Sequence, residues 1–347
     1  MPRQSVAALF DGPGRLKLSE IQIPDPGPGE VLLQVMACGV CGSDLHQLEG
    51  RWEQPPFAPG HEVAGTITAV GAGVTGLEIG ARMCVEPFIY CGRCRYCLSG
   101  RYFQCPQMGF LTLTAHGGFC RYLLTPAYSV YRLSDNVSFE VGALAEPLAV
   151  AVHAARLVAV TAADGVLVLG AGTIGLMCVA AARHLGARRV FVTARHAHQA
   201  EAALILGAEA ALSTETEQLR AQLQRVLPGG PDVVLEAVGS QARALQQAVE
   251  VAGKLGRIAL MGGNTGPMNG IDFAPVISKE LSLYGSGCYS QFGTSRDFSI
   301  ALDALAAAPD TFERLITHRF DLAQVREAFA VALDKNRSRA LKVVVCP

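Results

Sequence analysis

Part-way along the chain the spacing of apolar residues changes period. Up to about residue 145 they come in short runs of strand character, at 31–35, 63–70 and 119–123, punctuated by Gly and Pro. Strands that short, cut so often by turn formers, predict a partly open β-barrel. From about Glu146 onward, compact apolar runs at 166–169, 190–193, 233–236, 258–261 and 281–284 alternate with Ala-rich segments of helical period such as 197–206 and 241–252. That alternation predicts a parallel, doubly wound α/β sheet, because each parallel strand needs a crossover helix to bring the chain back. A helical stretch at 297–307 and a strand-like run at 340–345 are expected to return to the first domain. Residues 165–182 carry no charge, but glycines interrupt them, so they read as a buried strand feeding a helix and not as a membrane span.

Length and charge narrow the classes. At 347 residues the chain exceeds what one hydrophobic core organises, and two domains are expected. A net charge of −1 and a pI near 6.7 give no general attraction to phosphate backbones or anionic membranes, so neither is an expected partner. The first residues, Met1 to Ser5, hold no apolar signal segment, and eleven cysteines in so long a chain do not suit a small disulfide-stapled domain. A cytoplasmic location is expected, where clustered cysteines point to metal.

Four of those cysteines, Cys91, Cys94, Cys97 and Cys105, form a C-x2-C-x2-C-x7-C run. Three thiolates at such intervals on a tight turn, with a fourth returning nearby, can close a tetrahedron around Zn²⁺. Gly92 relaxes the turn, and Arg93, Arg95 and Arg101 lie beside what is then a doubly negative centre. A disulfide pair and a redox CxxC are the weaker readings. With no open coordination position, the site is expected to be structural, anchoring a lobe at about 88–108.

The pattern G-x-G-x-x-G occurs twice, and context separates the copies. The copy from Gly71 to Gly76 is followed by Gly80 and another β-like run, so it reads as a turn. The copy Gly170-Ala171-Gly172-Thr173-Ile174-Gly175 follows an apolar strand and opens an apolar helix. There Gly170 permits the turn, Gly172 lets a pyrophosphate approach the backbone, and Gly175 allows close helix packing, which predicts dinucleotide binding. The next strand ends in Ala194-Arg195-His196, where NAD-binding proteins place a carboxylate for the ribose 2′-OH. Arg195 can stack on adenine or pair with a 2′-phosphate, and His196 can assist, so NADP(H) is expected over NAD(H). The plainer reading of Arg195 is a solvated surface arginine.

A second constellation is dispersed: Cys41-Gly42-Ser43-Asp44-Leu45-His46, then Gly60-His61-Glu62, then Glu146-Pro147. With the four-cysteine lobe, Gly117-Gly118-Phe119 and the glycine motif, these pieces stand in one order along almost the whole chain. In that order the chain resembles the zinc-dependent medium-chain dehydrogenase/reductase superfamily, nearest its sorbitol/polyol dehydrogenase-like branch. The resemblance implies a GroES-like catalytic domain over 1–146, a Rossmann domain over 147–287 and a C-terminal return over 288–347. It implies a catalytic Zn²⁺ held by Cys41 and His61, with Glu62 as third ligand or close neighbour. Glu146 stands where the polyol branch has a glutamate that contacts the zinc directly or through water, and where the alcohol branch has cysteine. Ser43 is implied as the first proton acceptor and His46 as the relay towards solvent, while Asp44 orders the loop. The plainer and less favoured reading of His46 is a hydrogen-bonded surface residue, and Trp52 either lines the pocket or packs.

The chain departs from the polyol pattern at two places. Where those enzymes carry Arg-Tyr it has Cys288-Tyr289, and Gln47 replaces an aromatic after His46. The expected activity is therefore hydride transfer between a nicotinamide cofactor and a secondary alcohol: a polyol, a cyclitol or an amino alcohol. A homodimer or homotetramer is implied by the resemblance alone. The rivals are a non-catalytic NADP(H)- and zinc-binding protein that kept the fold, and a zinc ribbon for nucleic acid favoured only by the local arginines. His116, His153, His184, His198 and His318 lack ligand spacing, and Cys38, Cys84, Cys120, Cys178 and Cys346 are expected to pack.

Overall fold

The computed structural model describes residues 3–239, 242–261 and 270–347. The chain divides into two compact units, Met1–Glu146 with Gln291–Pro347, and Pro147–Ser290.

The first unit is built around the strand Glu30–Gly39. It pairs antiparallel with Glu62–Val70 on one side, and with Tyr122–Pro126 and Lys342–Cys346 on the other. Arg82–Val85, Val130–Arg132 and Ile316–Asp321 extend this to a seven-stranded sheet. The pairing of the two longest strands shifts register at Leu32/Leu33 and again at Val35/Ala37. Such bulges add local twist and let a sheet curl towards a barrel. Leu33, Val35, Ile67, Phe119, Leu123, Phe329 and Val345 meet in its core. The chain end thus belongs to this unit through its hydrogen bonds to the central strand. The last strand begins at Lys342, two residues later than the sequence pattern suggested. Arg339, in the left-handed region at φ 56°, ends the helix Lys335–Ser338 and turns the chain just before it.

The second unit holds six parallel strands in the order Ala210–Leu212, Arg189–Thr193, Gly165–Leu169, Val233–Glu236, Arg257–Leu260, Ser282–Gly285. This 3-2-1-4-5-6 order is that of a doubly wound dinucleotide fold. Gly165–Leu169 and Val233–Glu236 are buried at every residue, which is why they read as unbroken apolar runs. The helix Ala242–Val251 follows the pattern at 241–252, although Gln241 lies outside the described residues. The two glycine motifs part as their contexts suggest. Gly71 follows the strand Glu62–Val70 in a turn so close that a Cβ there would meet the Gly27 carbonyl at 1.8 Å. Gly170 instead leads into the helix Thr173–His184. Among the described residues, no helix is long and apolar enough to cross a membrane.

Candidate active site

The strand Glu30–Gly39 ends at the loop carrying Cys41, and its antiparallel partner begins with Glu62, so Gly39 and Glu62 are register partners. This brings Cys41, His61 and Glu62 together, with one donor atom from each lying within 4.8 Å of the others. Backbone crowding fixes the loop before His61. Gly60 has φ +96°, and a Cβ there would meet the Cys38 sulfur at 2.7 Å and the Phe119 nitrogen at 3.0 Å. The Gly117 and Gly118 N–H groups close over the loop by donating to Ala58 O at 2.8 Å and Gly60 O at 2.7 Å. Three motifs far apart along the chain, at Cys41, at Gly60–Glu62 and at Gly117–Gly118, therefore pack together in space.

Charge in this site is dense. Asp44 is buried, accepts from the Cys41 N–H at 2.9 Å, and stands 3.8 Å from His61 Nδ1. A carboxylate behind an imidazole orients it as a metal ligand. Burial alone would lower the proton affinity of His61, but Cys41, Asp44 and Glu146 hold it well above the ordinary histidine range. A pocket whose charges favour a proton on imidazole also favours a divalent cation, so the donor set fits zinc chemically. Glu146 is buried and acts on His61 through its charge, but it is not one of the three residues whose donor atoms converge.

Two residues that the sequence analysis did not single out complete the surroundings. Lys342, on the last strand, is buried, pairs with Glu62 Oε2 and donates to Val40 O at 3.1 Å. Removing one partner of such a buried pair typically costs about 3–5 kcal/mol, because the other charge is left bare. Gly39 makes room for this pair, since a Cβ there would strike the Glu62 carboxylate. Lys335 also approaches, and burial followed by the Lys342 charge pushes its amine below the usual lysine range.

Ser43 and His46 lie on the helix Gly42–Leu48 that follows Cys41. His46 is half-buried and its Nδ1 has no hydrogen-bond partner among the described residues, while its ring packs on Trp52 at 5.0 Å between centroids. Trp52 therefore packs against the relay candidate itself. Burial, then the Arg51 charge, lowers the His46 pKa.

The four-cysteine run folds on itself. Sulfur separations are 3.9 Å for Cys91 and Cys97, 3.5 Å for Cys94 and Cys97, and 3.6 Å for Cys105 and Cys91. A tetrahedron with Zn–S bonds of about 2.3 Å has edges of about 3.8 Å, so these thiols stand where a ZnS₄ centre needs them. None of the eleven cysteines is in a disulfide. Cys38, Cys84, Cys120 and Cys178 are buried, and Cys346 is half-buried.

In the second unit a cavity of about 330 Å³ is lined by Gly170, Ala171 and Gly172, and by Arg195 and His196. Gly170 sits at φ +90° and its N–H donates to Thr193 Oγ1 at 2.9 Å, which pins the turn. A Cβ on Gly175 would meet Gly170 O at 1.8 Å, so this glycine serves helix packing. A Cβ on Gly172 would enter open space, and Gly172 is the N-cap of the helix Thr173–His184. The open backbone at this helix start fits a pyrophosphate. Thr173, Ile174, Gly175 and Ala194 adjoin this cavity in sequence without lining it. Its further walls include Thr214, Glu215, Arg243 and Gln247, which no sequence motif marked.

Comparison with known proteins bears on both units. The alcohol dehydrogenase GroES-like domain family matches residues 27–135, and the zinc-binding dehydrogenase family matches residues 173–307. Sorbitol dehydrogenase of Bacillus subtilis (strain 168) is 33% identical over 357 residues, covering 100% of this chain and 98% of its own. The chain belongs to the zinc-dependent medium-chain dehydrogenase/reductase superfamily, in its sorbitol/polyol-like branch. Members with solved structures superpose over the whole length. A zinc-binding dehydrogenase from Sinorhizobium meliloti 1021 bound to NADP is 29% identical with a TM-score of 0.86, covering 99% of this chain and 100% of its own. An alcohol dehydrogenase from Escherichia coli CFT073 complexed with NADH is 30% identical with a TM-score of 0.89, covering 99% of each chain. This medium-chain dehydrogenase is thus an oxidoreductase of the class that acts on CH–OH groups.

Proposed function

We propose that the chain is a zinc-dependent dehydrogenase and ketone reductase that moves hydride between a secondary alcohol and a nicotinamide cofactor, NADP(H) in preference to NAD(H). The convergence of Cys41, His61 and Glu62 beside buried Asp44 carries this reading, because a thiolate, an imidazole and a carboxylate leave a fourth position open. Zinc bound there supplies the Lewis acidity that lowers the pKa of an alcohol hydroxyl. Cys41 and His61 hold the metal, Asp44 orients His61, and Lys342 engages one oxygen of Glu62 while a carboxylate has two. Glu146 adds negative charge from beside the three. Ser43 accepts the hydroxyl proton and His46 passes it outward, so oxidation of one alcohol releases one proton and delivers one hydride to the nicotinamide. Cys91, Cys94, Cys97 and Cys105 hold a second, structural zinc.

The cofactor preference rests on Arg195 and His196 at the end of their strand, where Ala194 stands in place of a carboxylate. The substrate is a polyol, a cyclitol or an amino alcohol. Cys288, half-buried at φ 46°, replaces the arginine of the polyol pattern, so sorbitol itself is not singled out. The outer strand Ser282–Gly285 ends its sheet among the described residues, and Phe273 and Ile277 just before it are exposed, which supports a homodimer or homotetramer. Light scattering at the mass of a single chain would remove that part.

A panel of polyols, amino alcohols and cyclitols, followed by absorbance of the reduced nicotinamide, tests the activity. Turnover on a secondary alcohol is expected to vanish on metal removal and return with added zinc. A protein that binds NADPH and two zinc ions but turns over none of these classes in either direction would favour a non-catalytic descendant of the fold.

A further inference from the structure

The cavity at the end of the parallel sheet has two walls. One is the strand end with Arg195 and His196. The other combines Thr214 and Glu215, just before the helix Thr216–Val226, with Arg243, Ala244 and Gln247 from the start of the helix Ala242–Val251. This second wall is built rather than loose. Gln247, almost fully buried, donates from Nε2 to Thr214 O at 3.0 Å and to Thr216 Oγ1 at 3.1 Å. The Glu215 N–H donates to Ser213 Oγ at 3.1 Å, and the Ser213 N–H donates to Gln222 Oε1 at 2.8 Å. The backbone that carries Glu215 is therefore held in place against the neighbouring helices.

On that fixed wall, Arg243 donates to Glu215 Oε2 at 3.0 Å, with 68% and 64% of the two side chains exposed. An exposed ion pair holds weakly and can be exchanged for a better partner. A phosphate monoester is a better partner, since it carries up to two negative charges and can take both guanidinium N–H groups in parallel. A ribose 2′-hydroxyl offers Arg243 no such gain, but it can donate to a carboxylate.

We propose that Arg243 and Glu215 form a charge selector for the 2′ substituent of the bound dinucleotide. Arg243 leaves Glu215 to grip a 2′-phosphate, and Glu215 accepts from a free 2′-hydroxyl. This rests on the dinucleotide reading of the cavity. Glu215 then opposes NADP(H), because its charge repels the phosphate and competes for Arg243. The preference set by Arg195 and His196 on one wall is tuned by this pair on the other.

The test is direct binding of NADPH and of NADH to the full chain, followed by nucleotide fluorescence without turnover. Wild type is compared with Arg243→Gln and Glu215→Gln, and 2′,5′-ADP and 5′-AMP are used as displacing probes. Both side chains are exposed, so folding is expected to survive, and an unchanged melting temperature verifies it. Arg243→Gln is expected to weaken NADPH and 2′,5′-ADP about tenfold, the loss of one charged hydrogen-bonding group, and to move NADH by less than about twofold. Glu215→Gln is expected to tighten NADPH and weaken NADH. If Arg243→Gln changes both dinucleotides by the same factor, or neither, the selector is wrong. A wild type that binds NADH as tightly as NADPH removes the preference proposed above, yet leaves the selector standing if each substitution still shifts the ratio in its stated direction.

Discussion

Glu86 is buried to 1% exposure, accepts from the Tyr131 hydroxyl at 2.6 Å, and lies 3.8 Å from Arg296. Arg296 in turn donates to Tyr90 at 3.0 Å and to Tyr131 at 2.7 Å. Despite these partners, burial raises the Glu86 pKa above the ordinary carboxylate range. The folded state thus holds the proton more tightly than the unfolded chain. Its contribution to stability is whole below the unfolded pKa and is lost as pH rises through the folded one. Glu86→Gln, which keeps an acceptor for Tyr131 without the charge, is expected to melt at or above wild type at neutral pH, with the gap closing towards pH ~4.5. A variant that melts lower than wild type at pH 7 would mean that Arg296 keeps Glu86 ionised.

The same scale separates what a reader of the sequence can see. Cys41, His61, Glu62 and the cysteine run are legible because few residue types bind zinc and their motif order is specific. Lys342, Arg243 and Arg296 are not, since each is one of 29 basic residues with no local pattern. Only long-range pairing gives them partners, as when the last strand places Lys342 beside a glutamate near the start of the chain.

At the scale of elements, the lobe around the four cysteines shows why metal matters. Its regular structure is limited to the helix Arg95–Leu98, the 3₁₀ turn Tyr102–Gln104 and the two-residue pair Phe88–Ile89 with Gly109–Phe110. Such short pieces bury little apolar surface of their own, so a tetrathiolate metal supplies the tie. Cys94→Ser is expected to lose one zinc and several kcal/mol of stability while hydride transfer persists below the lowered melting point. An unchanged melting temperature with abolished turnover would assign chemistry to the lobe instead. In the second unit Gly165–Leu169 and Val233–Glu236 were legible because strands buried at every residue read as plain apolar runs, whereas the three-residue, partly buried strand Ala210–Leu212 was not among the runs read from the sequence. The strand Ile316–Asp321 was not legible, since its burial alternates and His318, Arg319 and Asp321 break the apolar signal.

At the scale of the molecule, two textures of sequence became two units, each with one kind of site. The β-rich unit holds both groups of metal-ligand residues, and the α/β unit holds the glycine turn and its cavity. The chain's return to the first unit could be expected from family resemblance, but its reason is physical. The strand Lys342–Cys346 completes the central sheet and delivers Lys342 to Glu62. This division means that cofactor binding and metal chemistry can be damaged separately, and their separation is what tests the central claim.

The most direct measurement is alcohol turnover by Cys41→Ser protein whose zinc content and NADPH affinity are read on the same sample. The proposed arrangement predicts one zinc retained in the lobe, NADPH binding within about twofold of wild type, and turnover reduced by about a thousandfold or more, the worth of several kcal/mol of lost Lewis acidity. Full turnover in that variant, on a substrate that wild type uses, would contradict the assignment of Cys41 to a catalytic metal.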